Sequence, residues 1–188
     1  KPLSADFKGY WYGGEAEITS YSLEQARYGE LRDGKAVLIY VTEPFLPEKQ
    51  VKADRQNPGN ISVLKLNATK KFLTGIYPYS IMASTFYPVY DNLHALKTSL
   101  SVQEWCGHVY TQMNLNGNEY RVRMHSYFEG EGDRDYEVPK TLPEDAVWTL
   151  IRLAPHRLPR GEVQMIPGSV YARLAHRPVS ALKAIAHL

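Results

Sequence analysis

Cys106, His108 and His125 are the residues whose types and spacing could do chemistry. Side chains two apart on an extended strand share a face, so Glu104, Cys106 and His108 fall in one row. Asn116-Gly117 is a strong two-residue hairpin signal, and if those two residues form the turn, Leu115 pairs with Asn118 and the rest of the register follows. His108 then faces His125, Cys106 faces Tyr127, and Glu104 faces Glu129. Imidazoles on facing strands stand roughly 5 Å apart at Cβ, close enough to share a metal, with Cys106 as a third ligand. The same thiol beside His108 could instead form a thiolate and imidazole pair for nucleophilic chemistry. No Cys-x-x-Cys or His-Glu-x-x-His accompanies the cluster, so the row also reads simply as the polar, solvent-facing or partner-facing side of a sheet.

The alternate positions of the same hairpin carry Trp105, Val109, Thr111 and Met113 opposite Phe128, Met124, Val122 and Tyr120, a core surface. Upstream, Asp33-Gly34 predicts a turn between strands over 27–32 and 35–43, the second of them apolar on both alternations and so a mid-sheet strand. Residues 44–60 read as a loop, 61–72 as a strand, and Pro78 within the aromatic pattern 74–80 as an edge strand or a bulge. Residues 96–113 read as one long strand. Pro143-Glu144-Asp145 opens a helix that Pro155 must stop, giving a helix over 143–153. Residues 180–188 have helical composition.

The 188 residues suffice for one domain, taken as 1–188, with no linker or internal repeat dividing them. Tyrosine, at 14 residues, favours strands and amphipathic surfaces over helical bundles. No apolar run approaches the roughly 20 residues of a membrane-spanning helix. One cysteine cannot make an internal disulfide. The net charge of +2 hides an asymmetry, because residues 152–188 hold six basic groups against Glu162 alone. Within that segment Arg157, Arg160, Arg173 and Arg177 are candidates for contact with anionic lipid or an acidic partner. Nucleic acid is not expected, since the excess is small and no stacking platform presents it. Tyr77, Tyr79, Trp105 and Tyr127 are the candidate ligand-binding aromatics, able to line a groove or stack a sugar.

The segments 10–18, 27–30, 41–43, 49–52, 74–80 and 103–108, together with Ser126-Tyr127-Phe128-Glu129-Gly130-Glu131-Gly132-Asp133 and 144–152, resemble an uncharacterised family of envelope lipoproteins from Gram-negative bacteria. The resemblance covers most of the chain. Members are sometimes labelled septum-formation inhibitors of the Maf type, although the Ser-Pro-Arg-Arg loop of that nucleotide pyrophosphatase is absent here. The resemblance implies an outer-membrane or periplasmic address, a lipid-bearing cysteine ahead of Lys1, and a longer protein.

These readings converge on a mainly β fold, a curved antiparallel sheet or open half-barrel with a helix packed against it. The expected function is a cell-envelope lipoprotein acting as a binding or scaffolding subunit. It would hold a lipophilic or saccharide ligand, or dock on a larger outer-membrane complex, with no cofactor required. The alternative is a metal-dependent or cysteine-based envelope enzyme centred on Cys106, His108 and His125.

Overall fold

A computed structural model describes residues 3–90 and 94–187. It is mainly β, with 55% of residues in strands and 14% in helices. A seven-residue helix, α1 (Ala5–Trp11), opens on a Ser4 cap whose hydroxyl accepts from the Phe7 N–H. Nine strands follow: β1 (Glu17–Arg27), β2 (Glu30–Leu46), β3 (Val51–Lys52), β4 (Ile61–Thr74), β5 (Tyr77–Pro88), β6 (Lys97–Glu104), β7 (Gly107–Asn116), β8 (Glu119–Ser126) and β9 (Arg134–Pro139). They form one antiparallel sheet in the order β1-β2-β4-β5-β6-β7-β8-β9, with β3 attached to the end of β2. The sheet is open, because β1 and β9 lie at opposite edges and do not pair. The chain then makes β10 (Leu142–Pro143), α2 (Glu144–Leu153), a single 3₁₀ turn, β11 (Gly161–Ile166), α3 (Ser169–Leu174) and β12 (Leu182–Ala186), with β10, β11 and β12 forming a small second sheet.

All three helices cover the same face of the large sheet. That face holds Tyr40, Leu64, Leu66, Phe72, Tyr79, Ile81, Leu100, Val102, Val109, Met113, Tyr120 and Val122, each nearly or wholly excluded from solvent. Helix α2 begins where the sequence requires it, with Pro143 at the cap and Glu144 and Asp145 in its first turn. Ala146, Leu150 and Leu153, spaced for one helical face, pack on Tyr87 and Ala95. The Tyr40 and Thr85 hydroxyls donate to the α2 carbonyls of Trp148 and Asp145, which fixes the helix to the sheet. The carboxylates of Glu144 and Asp145 in turn accept the N–H groups of Gly168 and Ser169 at the start of α3.

Several sequence expectations require correction. The first hairpin turns at Tyr28-Gly29, both with positive φ, and Asp33-Gly34 lies inside β2 opposite Glu24 and Leu23. Residues 97–116 are two strands, β6 and β7, folded back at Trp105-Cys106. The segment 182–186 is strand β12. Pro78 belongs to a mid-sheet strand, but it lies beyond the end of β6, which first pairs with β5 at Ser80, so its missing N–H costs no ladder bond on that side. The helix expected over 143–153 is α2.

The second hairpin is a two-residue turn as expected, displaced by one residue. Gly117 has φ +60° and Asn118 is not in the left-handed region, the pattern of a turn with glycine first. Asn116 therefore pairs with Glu119, Tyr110 faces His125, and His108 is not opposite His125. A one-residue displacement of the turn shifts every pair by two, so within β7 and β8 the face of each side chain is preserved. His108, Tyr110, Arg123 and His125 share the uncovered face, and Val109, Met113, Val122 and Met124 share the buried one.

Candidate functional site

In a sheet of consecutive antiparallel strands alternate connections emerge at the same end. Tyr28-Gly29, Gly75-Ile76, Trp105-Cys106 and the loop 127–133 all leave the large sheet at one end. Each carries an apolar or aromatic side chain into solvent: Tyr28, Ile76 (84% exposed), Trp105 (64%) and Tyr127 (78%), with Leu31 and Leu73 beside them. At about 4.8 Å per strand, neighbouring tips stand about 10 Å apart in a row about 30 Å long.

The row rests on a buried polar base. Glu104, its side chain 1% exposed, accepts from the Tyr77 hydroxyl and from the Cys106 N–H at 2.8 Å. Arg173 of α3, its side chain 4% exposed, lies 3.6 Å from Glu104 Oε1 and 3.3 Å from Glu131 Oε1, with its guanidinium 4.2 Å from the centre of the Phe128 ring. Glu131 also meets His176 Nδ1 at 2.8 Å and accepts from the Ser126 hydroxyl at 2.7 Å. One helix is thereby tied to the turn at 105–106 and to the loop at 127–133. A second anchor lies beside it: Arg27 donates from Nη1 to the Leu174 carbonyl at 2.6 Å and from Nε to the Tyr79 hydroxyl, and its guanidinium sits 4.2 Å from the Tyr28 ring centre. Burial, reinforced by the Tyr28 hydroxyl 3.0 Å away, pushes the Tyr79 phenol up to about 12. Burial and the contacts with Cys106 and Glu104 push the Tyr77 phenol up as well, so it stays a donor.

All four candidate ligand-binding aromatics fall at this end. The Tyr77 ring lies 5.5 Å from Trp105 and 5.6 Å from Tyr79. Tyr127 lies across Gly107, where a Cβ would stand 2.7 Å from its side chain. Tyr79 is stacked on Phe72 at 4.7 Å and is 2% exposed, so it supports the end from within.

The three candidate metal ligands are arranged differently. Cys106 occupies the turn, while His108 and His125 are offset diagonally on the uncovered face. There they border a groove of about 500 Å³ with Gln103, Tyr110, Tyr127 and Asp133, and His125 Nδ1 lies 3.5 Å from Asp133 Oδ2. Among the described residues, no three His, Cys, Asp or Glu side chains are grouped to hold a metal ion. Cys106 is exposed in its turn. It should titrate as one thiol per chain with Ellman's reagent in the absence of denaturant, and protection until unfolding would contradict that placement.

Of the four candidate contact arginines, Arg157, Arg160 and Arg177 are exposed, whereas Arg173 is buried in the ion-pair network and unavailable to a partner. The exposed ones do not form one patch. Arg157 acts electrostatically on Tyr87 and His94 at the other end of the sheet, while Arg177 follows α3 near the aromatic end.

Sequence reasoning missed Glu104 as a member of a buried network. A turn at 105–106 inverts the alternation, so even positions face the core in β6 and odd positions do so in β7. Reading 96–113 as one strand therefore put Glu104 on the wrong side. The available signal was an acid in phase with Thr98, Leu100 and Val102. No protein family, curated protein or solved structure matches the chain.

Proposed function

We propose that the protein is a binding or scaffolding subunit of the cell envelope that rests the aromatic end of its sheet on a lipid surface. The observation that carries this reading is the row of four exposed tips, Tyr28, Ile76, Trp105 and Tyr127, on a rigid ion-paired base. Separate convex tips can each enter a fluid boundary independently, whereas a protein partner would need four matching sockets. Tryptophan and tyrosine rings suit the headgroup level, where one edge is apolar and the other hydrated, and Ile76 and Leu73 suit the acyl boundary below it. The resemblance to envelope lipoproteins supports the address, with a lipid anchor outside this chain and an envelope complex as the wider setting.

Vesicles of phosphatidylethanolamine and phosphatidylglycerol provide the test. The protein should cosediment with them, and the variant I76S/W105S/Y127S should partition at least about tenfold less, since partial burial of three such side chains is worth upwards of about 1.4 kcal/mol. Because the tips are apolar and the exposed arginines are dispersed, binding should change little between low and moderate salt. Equal partitioning of the two proteins, or no partitioning by either, would refute the reading.

A further inference from the structure

The two edge strands of the large sheet, β1 and β9, differ in what they leave open. Tyr28 and Gly29, both with positive φ, make a two-residue turn that closes on Arg27 and Glu30, and the ladder alternates from that bonded pair to Glu17 without a bulge. The odd-numbered residues of β1 therefore bond to β2, and Ile18, Ser20, Ser22, Glu24 and Ala26 direct their N–H and C=O groups outward. All five are exposed, and among the described residues the only partner for those groups is the Gln25 side chain, which donates to the Ala26 carbonyl at 3.2 Å. Over its 11 residues β1 has no proline, lysine or bulge, the devices that keep an edge from pairing. The other edge is blunted. The Lys140 N–H donates to the Asn118 carbonyl, so even-numbered residues of β9 bond to β8 and the outward ones are Asp135, Glu137 and Pro139, the last with no N–H.

We propose that the outer edge of β1 is an interface with a second copy of this chain, the two β1 strands pairing antiparallel about a twofold axis through Ser22. Such an axis, normal to the sheet, sets a residue against itself, so paired positions have equal parity and the helix-covered faces of both copies stay on one side. Ser22 is the midpoint of β1, so this register uses the whole strand: Ser22 meets itself, Ser20 meets the partner's Glu24, and Ile18 meets the partner's Ala26. About ten backbone hydrogen bonds result, two for each outward pair. The strand's own side chains make a second copy the fitting occupant. Arg27, whose intramolecular partners are hydroxyl and carbonyl oxygens, falls opposite the partner's Glu17. Tyr21, 47% exposed, falls opposite the partner's Leu23 on the covered side, and Ile18, 65% exposed, adds an apolar pair on the other. No like charges meet, whereas an axis through Glu24 would set that acid against itself. A strand about 37 Å long and a sheet about 10 Å thick give a contact of about 400 Å² per copy, half the standard interface, which sets the affinity in the micromolar range. The aromatic ends of the two copies point in opposite directions, so a dimer offers one to each of two lipid surfaces, although the pairing itself does not rest on that reading.

Sedimentation velocity of the protein without lipid, over about 5 to 500 µM, tests this. It should pass from monomer to dimer with a dissociation constant below about 200 µM. Ser22→Pro removes the central outward N–H and leaves the bonds to β2 in place, so it should weaken dimerisation at least about tenfold. Ser20→Lys sets an ammonium group against each Glu24 carboxylate and should tighten the dimer at least about threefold, while Ser20→Glu should loosen it by as much. Ser20 is exposed on the uncovered face, so these two variants test the register even if S22P does not fold. I76S/W105S/Y127S should dimerise like the unaltered protein, which separates this edge from the lipid-facing end. A monomer at every concentration, a dimer that S22P leaves intact, or equal effects of S20K and S20E would overturn the assignment.

Discussion

Arg173→Leu should destabilise the protein by about 3–5 kcal/mol, the range for removing one partner of a buried ion pair. The guanidinium is the only charge facing Glu104 Oε1 among the ion pairs described, so its loss strands a carboxylate whose side chain is 1% exposed, while Glu131 keeps His176 and the Ser126 hydroxyl. At about 2–4 °C per kcal/mol for a chain of this length, the midpoint of thermal unfolding should fall by roughly 6–20 °C. The pair itself contributes less than its rupture costs, because the buried Arg173 Nε has no partner and both charges were desolvated on folding. The double variant E104L/R173L should therefore be more stable than the sum of the two single losses implies, and the cycle measures their coupling. Urea unfolding of the four proteins decides the matter, and a loss under about 1 kcal/mol for R173L would remove the network from the account of how the aromatic end is held.

Sequence legibility follows the range of the interaction. The β4 strand and the helix from Glu144 to Leu153 were readable because alternation, caps and the helix-starting proline are local signals. The faces of β7 and β8 were readable too, since a shift of two leaves parity intact, although the partner of His125 was not. What failed was choice between competing local signals. Tyr28-Gly29 outcompetes Asp33-Gly34 because the earlier turn gives β1 and β2 an uninterrupted ladder from Glu17↔Tyr40 to Arg27↔Glu30. The Trp105-Cys106 turn has no glycine or proline of its own to announce it. The network at the aromatic end joins Glu104 to Arg173 across 69 positions, and no periodicity encodes such a meeting. The candidate aromatics were identified by type alone, and it is the order of the sheet that brings three of them to one exposed end and buries Tyr79 behind them.

Gly34 and Gly29 make opposite demands, and substituting each tells which of them turns the chain. Gly34 lies in β2 opposite Phe72 of β4, and a Cβ there would fall well inside contact distance of the Lys71 carbonyl oxygen and 2.8 Å from Phe72 Cβ. Both neighbours belong to a ladder paired on either side, so neither can retreat without breaking pairs between β2 and β4 or between β4 and β5. Overpacking of this kind costs about 1–3 kcal/mol and more where backbone must move, so Gly34→Ala should cost about 3 kcal/mol. Gly29 has φ +76° with nothing near its missing Cβ, so Gly29→Ala meets conformational strain alone, about 1–2 kcal/mol. If the chain turned at Asp33-Gly34, the order would invert: Gly34 would be the strained turn residue in open space, and Gly29, in a strand, would cost little. Denaturant midpoints of the two variants, measured side by side, separate these cases, and a G29A loss exceeding that of G34A would return the turn to Asp33-Gly34 and shift Tyr28 away from the aromatic row.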